Sequence, residues 1–184
     1  TSALNSMSGT SAILLGAILG AMMGFDLGGP VNKVAYAFAT AGLAGAGAAS
    51  DSPQLKIMAA VMAAGMVPPL AMALSTTIRR NLYTEAEREN GTTAWLLGAA
   101  FISEGAIPFA AADPVRVIPS MMAGGAVTGA LIMALGVGSQ APHGGFFVFF
   151  AITNLFGFVI AIAAGTVVAG LLVTFLKGRA AAKQ

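Results

Sequence analysis

One carboxylate, Glu104, sits alone in a long uncharged stretch, with no Asp, Glu, Lys or Arg from Gly91 to Ser103 or from Gly105 to Ala112. A charge at the bilayer centre costs about 2.5–3.5 kcal/mol on insertion scales, so a carboxylate there needs a reason. A carboxylate at the tip of a broken hairpin can accept two or more hydrogen bonds from the hydroxyls of a polyol ligand. The structural alternative is a cap on neighbouring backbone N–H groups. Gly105 beside it is grouped with it as a candidate substrate-binding residue. A second constellation is Gly24-Phe25-Asp26-Leu27-Gly28-Gly29-Pro30-Val31-Asn32-Lys33. Its glycines and proline break a helix and free backbone groups to face a polar cavity. Asn32 offers a donor and an acceptor, which suits a polyol. Asp26 is a candidate ligand contact, although it and Lys33 could simply neutralise each other. His143, in Ala141-Pro142-His143-Gly144-Gly145, is the remaining candidate, against the alternative of an exposed turn residue. Asp113 and Arg116 flank Pro114 and read as an ion pair at the end of the hairpin.

Much chemistry is excluded. The chain has no Cys and one His, so neither a thiolate nor a multi-histidine metal site is available. No glycine-rich loop followed by Lys-Ser/Thr is present to cradle a nucleoside triphosphate. The expectation is therefore no catalytic residue, no metal and no cofactor within this chain.

The elements that hold these residues follow from composition. Of 184 residues, 57% are hydrophobic, only 9 are basic and 7 acidic, and the net charge is +2. The mean hydropathy is +0.85. A soluble domain is about 25% charged, so this chain reads as an all-α polytopic membrane protein. Its pI of about 9.3 is a small excess on a nearly uncharged chain and implies no nucleic acid. Residues 1–184 read as a single membrane domain with no soluble domain.

A bilayer core of about 30 Å needs about 20 helical residues. The charge-free run Val117 to Leu176 holds two spans, divided by the Gly-rich break Gly136 to Gly145. A further break is expected near Asn154. A third span lies at Leu55 to Ile78, kinked by Pro68-Pro69. Ser11 to Ala49 reads as two more segments around a broken helix near 24–33, giving about five segments. Six charges cluster in 79–91, and Lys177, Arg179 and Lys183 close the chain. The positive-inside bias puts that loop and the tail on the cytoplasmic side of the membrane. Two crossings separate them, so Thr92–Ala112 must enter and leave by one face as a re-entrant hairpin. Irregular backbone at that depth is tolerated where protein or a water-filled cavity covers it.

Gly16, Gly20 and Gly24 repeat at four-residue spacing, as do Gly125 and Gly129, which predicts close helix–helix packing. The Phe and Met side chains read as lipid-facing or packing residues. The opening Thr1-Ser2-Ala3-Leu4-Asn5 reads like a loop cut from something longer.

The Asp26 block, the block Glu104-Gly105-Ala106-Ile107-Pro108-Phe109-Ala110-Ala111-Ala112-Asp113-Pro114, and Ala141-Pro142-His143-Gly144-Gly145 occur in an order and spacing that resemble the fructose-specific membrane component (enzyme IIC) of the bacterial phosphoenolpyruvate-dependent sugar phosphotransferase system. Val67-Pro68-Pro69-Leu70-Ala71-Met72 also looks like that family. The resemblance covers nearly the whole chain. It implies a permease carrying fructose or a related sugar inward while a cytoplasmic IIB partner, supplied by IIA and HPr-type proteins, phosphorylates it. A hairpin glutamate that contacts sugar in the wider superfamily maps onto Glu104, and a histidine near the substrate onto His143. Members have a preceding half that supplies a homodimer interface, so the chain is expected to be the C-terminal, sugar-binding half. The residues alone leave open an ion-coupled secondary transporter, with Glu104 and Asp26 as ion ligands, and a non-transporting scaffold.

Overall fold

The computed structural model describes residues 9–45 and 52–182. The opening five residues and the end of the second apolar segment lie outside them. In chain order the helices are α1 (Thr10–Phe25), α2 (Pro30–Ala44), α3 (Pro53–Ile78), α4 (Glu85–Ala99), α5 (Ile107–Ala112), α6 (Pro114–Ala134) and α7 (Leu155–Ala181). Short 3-10 turns, Arg80–Leu82, Ser103–Ala106 and Gly145–Ala151, join them. The described residues otherwise hold only one isolated β-bridge, between Ser139 and Ile152.

Three helices, α3, α6 and α7, are long and apolar enough to cross a membrane. The apolar run Ser11 to Ala49 predicts two further segments, but α1 and α2 have 16 and 15 residues. At a rise of about 1.5 Å per residue, each falls short of a hydrocarbon core of about 30 Å. The shortfall has a local cause. The chain leaves α1 at Asp26 and takes left-handed backbone at Leu27 (φ 53°) and Gly28 (φ 105°). It re-enters a helix at Pro30, whose fixed φ suits a first turn.

The axis of the bundle is α3, of whose apolar window 89% is buried inside the protein rather than left for lipid. Ala59, Ala60, Ala63 and Ala64 have no exposure, and such small side chains let neighbouring helices approach closely. Helices α1, α2, α4, α6 and α7 all pack on it. The helix continues through Pro68 and Pro69, where the sequence predicts a kink.

The glycine repeats have definite partners. A Cβ on Gly16 would strike the Gly129 carbonyl, one on Gly20 the Gly125 carbonyl, and one on Gly24 would lie 2.5 Å from the Met121 carbonyl. Rising numbers on α1 meet falling numbers on α6, so the two run antiparallel, backbone against backbone. Thr128 Oγ1 of α6 donates to Gly124 O (3.0 Å) and approaches Ala161 O of α7 (3.2 Å).

Polar groups set the ends of the elements. Thr84 and Glu87 form a reciprocal capping box that starts α4, satisfying backbone donors that a helix leaves free. The break expected near Asn154 is present: its Oδ1 accepts from Gly157 N (3.0 Å) to start α7. Asp113, expected to pair with Arg116, does so at 2.9 Å and also meets Lys177 at 3.3 Å. Its side chain is only 13% exposed, so this is a tie between α6 and α7 rather than a loose surface pair. Lys177 Nζ also lies 5.0 Å from the Tyr83 ring centroid. Burial, first of all, pushes the Tyr83 phenol up to about 12.

Candidate functional site

Three chain breaks meet at one place. The α1–α2 turn is built by Asp26, whose carboxylate accepts from Val31 N (2.7 Å) and Asn32 N (2.9 Å). It thus serves the free backbone donors at the start of α2, where an anion also suits the helix dipole. Asp26 is therefore committed to the backbone rather than turned into the cavity described below. Asn32, in the first turn of α2, donates from Nδ2 to Met23 O (3.0 Å), which ties α2 to α1. Its Oδ1 meets no donor among the described residues.

The second break is the turn after α4. Phe101 has φ 63°, left-handed backbone that costs a bulky residue about 1–3 kcal/mol and must be held by its surroundings. The packing that holds it is tight: a Cβ on Gly65 of α3 would collide with the Phe101 ring. Ser103 Oγ donates to the Gly65 carbonyl at 2.6 Å. That carbonyl is available because Pro69, four residues on, has no N–H to offer it. The Pro68-Pro69 pair thus makes a docking point for the turn, halfway along α3. Gly105 packs here too, where a Cβ would be 2.9 Å from Leu97 Cδ1 and 3.3 Å from Pro69 Cβ. It shapes the turn and does not line the cavity.

The third break is the loop before α7. Gly145 (φ 58°) leaves no room for a side chain against the Ala99 carbonyl, so this loop rests on the end of α4. The His143 ring then lies 4.8 Å from Phe101 (35° between planes) and 6.5 Å, edge-on, from Tyr36.

Between these breaks is a cavity of about 210 Å³ lined by Gly28, Asn32, Lys33, Tyr36, Phe101, Ser103, Glu104 and His143. Of the five residues singled out from sequence, Glu104, His143 and Asn32 are together here, while Asp26 and Gly105 support the walls. The Glu104 carboxylate accepts no hydrogen bond from the protein among the described residues. That removes the capping alternative. It lies against Gly28, where a Cβ would be 2.6 Å from Oε1. Gly28 is thus needed twice, for its positive φ and for the space the carboxylate takes.

Sequence reasoning missed Tyr36, Phe101 and Ser103, and gave Lys33 only a neutralising role. Tyr36 could have been found: it follows Asn32 by four residues and so shares its helix face. Phe101 and Ser103 left no local signal. Chemically the wall offers an unpaired carboxylate acceptor, the amide oxygen of Asn32, the Tyr36 hydroxyl, the Lys33 ammonium and an aromatic surface. Hydroxyl groups that both donate and accept match such a set. No cluster of metal-ligating side chains occurs among the described residues.

No family model matches the chain and no solved structure matches it. Curated relatives do. A PTS system fructose-specific EIIB'BC component of Escherichia coli (strain K12) is 55% identical over 177 residues, 95% of this chain and 30% of the relative. A PTS system fructose-specific EIIC component of Haloferax volcanii is 51% identical over 98% of this chain and 46% of the relative. A fructose permease IIC component of Bacillus amyloliquefaciens is 44% identical over 96% of this chain and 56% of the relative. The chain therefore spans between about a third and just over half of these relatives' lengths. At this identity, over nearly all of its own length, the chain is homologous to the fructose-specific EIIC-containing components of the phosphotransferase system.

Proposed function

We propose that this chain is the sugar-binding membrane domain of a phosphotransferase-system permease, and that the cavity at Glu104 holds fructose or a closely related sugar during inward passage. The observation that carries the reading is the unpaired Glu104 carboxylate, aimed between two helix breaks at half-depth along α3. Discontinuous helices meeting near the bilayer midplane are a recurrent way to build a transport site. The Glu104 carboxylate takes sugar hydroxyl donors, Asn32 and Tyr36 fix orientation, and Phe101 with His143 faces the apolar side of the ring. At about 210 Å³ the cavity is smaller than the roughly 300–1,000 Å³ of sites for drug-sized ligands, and it suits a single monosaccharide.

In this reading residues 92–112 form a re-entrant hairpin. Supporting it, Tyr83 before α4 packs edge-on against Phe109 of α5 at 6.3 Å, and Asp113 reaches Lys177 at the end of α7. Both contacts lie beside the basic loop and tail, which the positive-inside bias assigns to the cytoplasm, and they support a hairpin that enters and leaves by that side. Alternating access moves the sugar past the hydrophobic barrier. A phosphorylated IIB partner, fed by IIA and HPr-type proteins, then converts it to a charged ester that has no matching site for return. The relative from Escherichia coli carries the IIB designation in its own name. A homodimer of the longer protein is part of the same proposal.

Two tests apply. Labelled fructose should equilibrate slowly across vesicles carrying the permease and accumulate, as sugar phosphate, only with the phosphoryl-transfer proteins and phosphoenolpyruvate. Accumulation of unmodified sugar on a proton or sodium gradient would replace this reading with an ion-coupled transporter. For topology, cysteines at the exposed positions Asn90 and Val115 should both react with an impermeant reagent from the cytoplasmic face. Reaction from opposite faces would mean that 92–112 crosses fully.

A further inference from the structure

At the end of α7 near the Asp113–Lys177 tie lies a second, separate cavity of about 410 Å³. Its walls include Arg79, Thr174, Arg179, Leu171 and Phe175, and no carboxylate among them. Arg79 follows the last residue of α3, and Arg179 lies in the last turn of α7 with its guanidinium 5.4 Å from the Phe175 ring. Neither arginine forms an ion pair among the described residues. Thr174 is engaged with Ser75 and with the Gly170 carbonyl, so the two guanidinium groups are the free polar side chains of the pocket. Such groups suit a phosphate oxygen cluster.

The apolar half of the pocket continues up the helix. Leu171 and Phe175 are 51% and 57% exposed, and Val167, one turn above Leu171, is 47% exposed. Val167 is in turn a wall of a nearly wholly apolar cleft of about 380 Å³ between α3, α4 and α7, which Leu70 and Leu74 also line. A basic pocket thus opens onto an apolar track that leads toward the middle of α3.

We infer that an anionic phospholipid binds here, its phosphate held between Arg79 and Arg179 and one acyl chain lying along Leu171 and Val167. This is independent of the sugar site. It matches the charge, since basic pockets beside membrane helices attract anionic head groups. It also matches the track, which a free anion would leave empty.

The test is titration of the chain purified in detergent with phosphatidylglycerol and with phosphatidylcholine of the same acyl chains, counting bound lipid by native mass spectrometry. One phosphatidylglycerol per chain is expected. The double variant Arg79→Gln/Arg179→Gln should weaken it about 30-fold, to the level of phosphatidylcholine. The variant Arg79→Lys/Arg179→Lys, which keeps the charge, should recover most of that loss and so separates head-group contact from altered folding. Inorganic phosphate should not displace the lipid. Equal binding of the two lipids, or undiminished binding by the glutamine variant, would overturn the inference. Displacement by inorganic phosphate would make the pocket a free-anion site and overturn it too.

Discussion

Glu104→Gln is expected to weaken fructose binding about 10- to 100-fold, since hydrogen bonds to a charged group contribute about 1.5–3 kcal/mol and each 1.4 kcal/mol is tenfold. The amide keeps the size of the side chain and loses its charge and one acceptor site. Folding should be untouched, because the carboxylate makes no hydrogen bond to the described protein and its side chain is exposed in the cavity. Binding of labelled fructose to purified protein, with helical content measured alongside, decides the matter. Near-normal affinity would remove Glu104 from the site. Loss of folded protein would return it to the structural role that the free carboxylate argues against.

Gly20→Leu should have the opposite profile, abolishing the fold and taking binding with it. The Gly20 Cα faces the Gly125 carbonyl so closely that even a methyl group overlaps it. Extra methylenes in a packed core ordinarily cost about 1–3 kcal/mol when side chains can yield. Here the obstacle is backbone, so α1 must lift from α6, and the Asp26–Gly29 turn that α1 carries into the cavity must lift with it. Gly178→Leu is the matched control. Nothing lies within 4 Å of that glycine's would-be Cβ, and replacing a helical glycine gains up to about 1 kcal/mol in propensity. The thermal midpoint in detergent should collapse for the first variant and hold for the second. A stable Gly20→Leu protein would contradict the observed register of α1 on α6.

The contrast between these variants shows what a sequence makes legible. Glycine spacing announced close packing, because a missing side chain is itself the signal, but it could not say which glycine meets which. The break at Asp26–Gly29 was readable from its glycines and proline, and the one near Asn154 from an apolar run too long for a single straight span. The lone Glu104 was conspicuous against its apolar surroundings. Uniform hydropathy hid other features. The window of α3 scores much like that of a lipid-facing span, yet it is buried by five neighbouring helices. Hydropathy does not distinguish burial in protein from burial in lipid. That Asp26 and Gly105 stand behind the cavity wall had no local sign, because their partners, two backbone N–H groups and the side chains of Leu97 and Pro69, are fixed only by the folded turn. The Ser103 bond to Gly65 spans 38 residues of sequence. Its only local sign, a proline four residues after a glycine in an apolar helix, gives no address for the donor.

The central proposal is that sugar occupies the cavity beside Glu104 where the three chain breaks meet. The chain has no cysteine, so a single thiol can report on the cavity directly. Lys33→Cys places one on its wall, and Asn90→Cys places one on the exposed face of α4. The measurement is the rate of maleimide alkylation at each position with rising fructose. Saturable slowing at position 33, none at position 90, and no slowing at position 33 when Glu104→Gln is added are the predicted results. Alkylation of the cavity cysteine at the same rate with and without saturating fructose would contradict the claim.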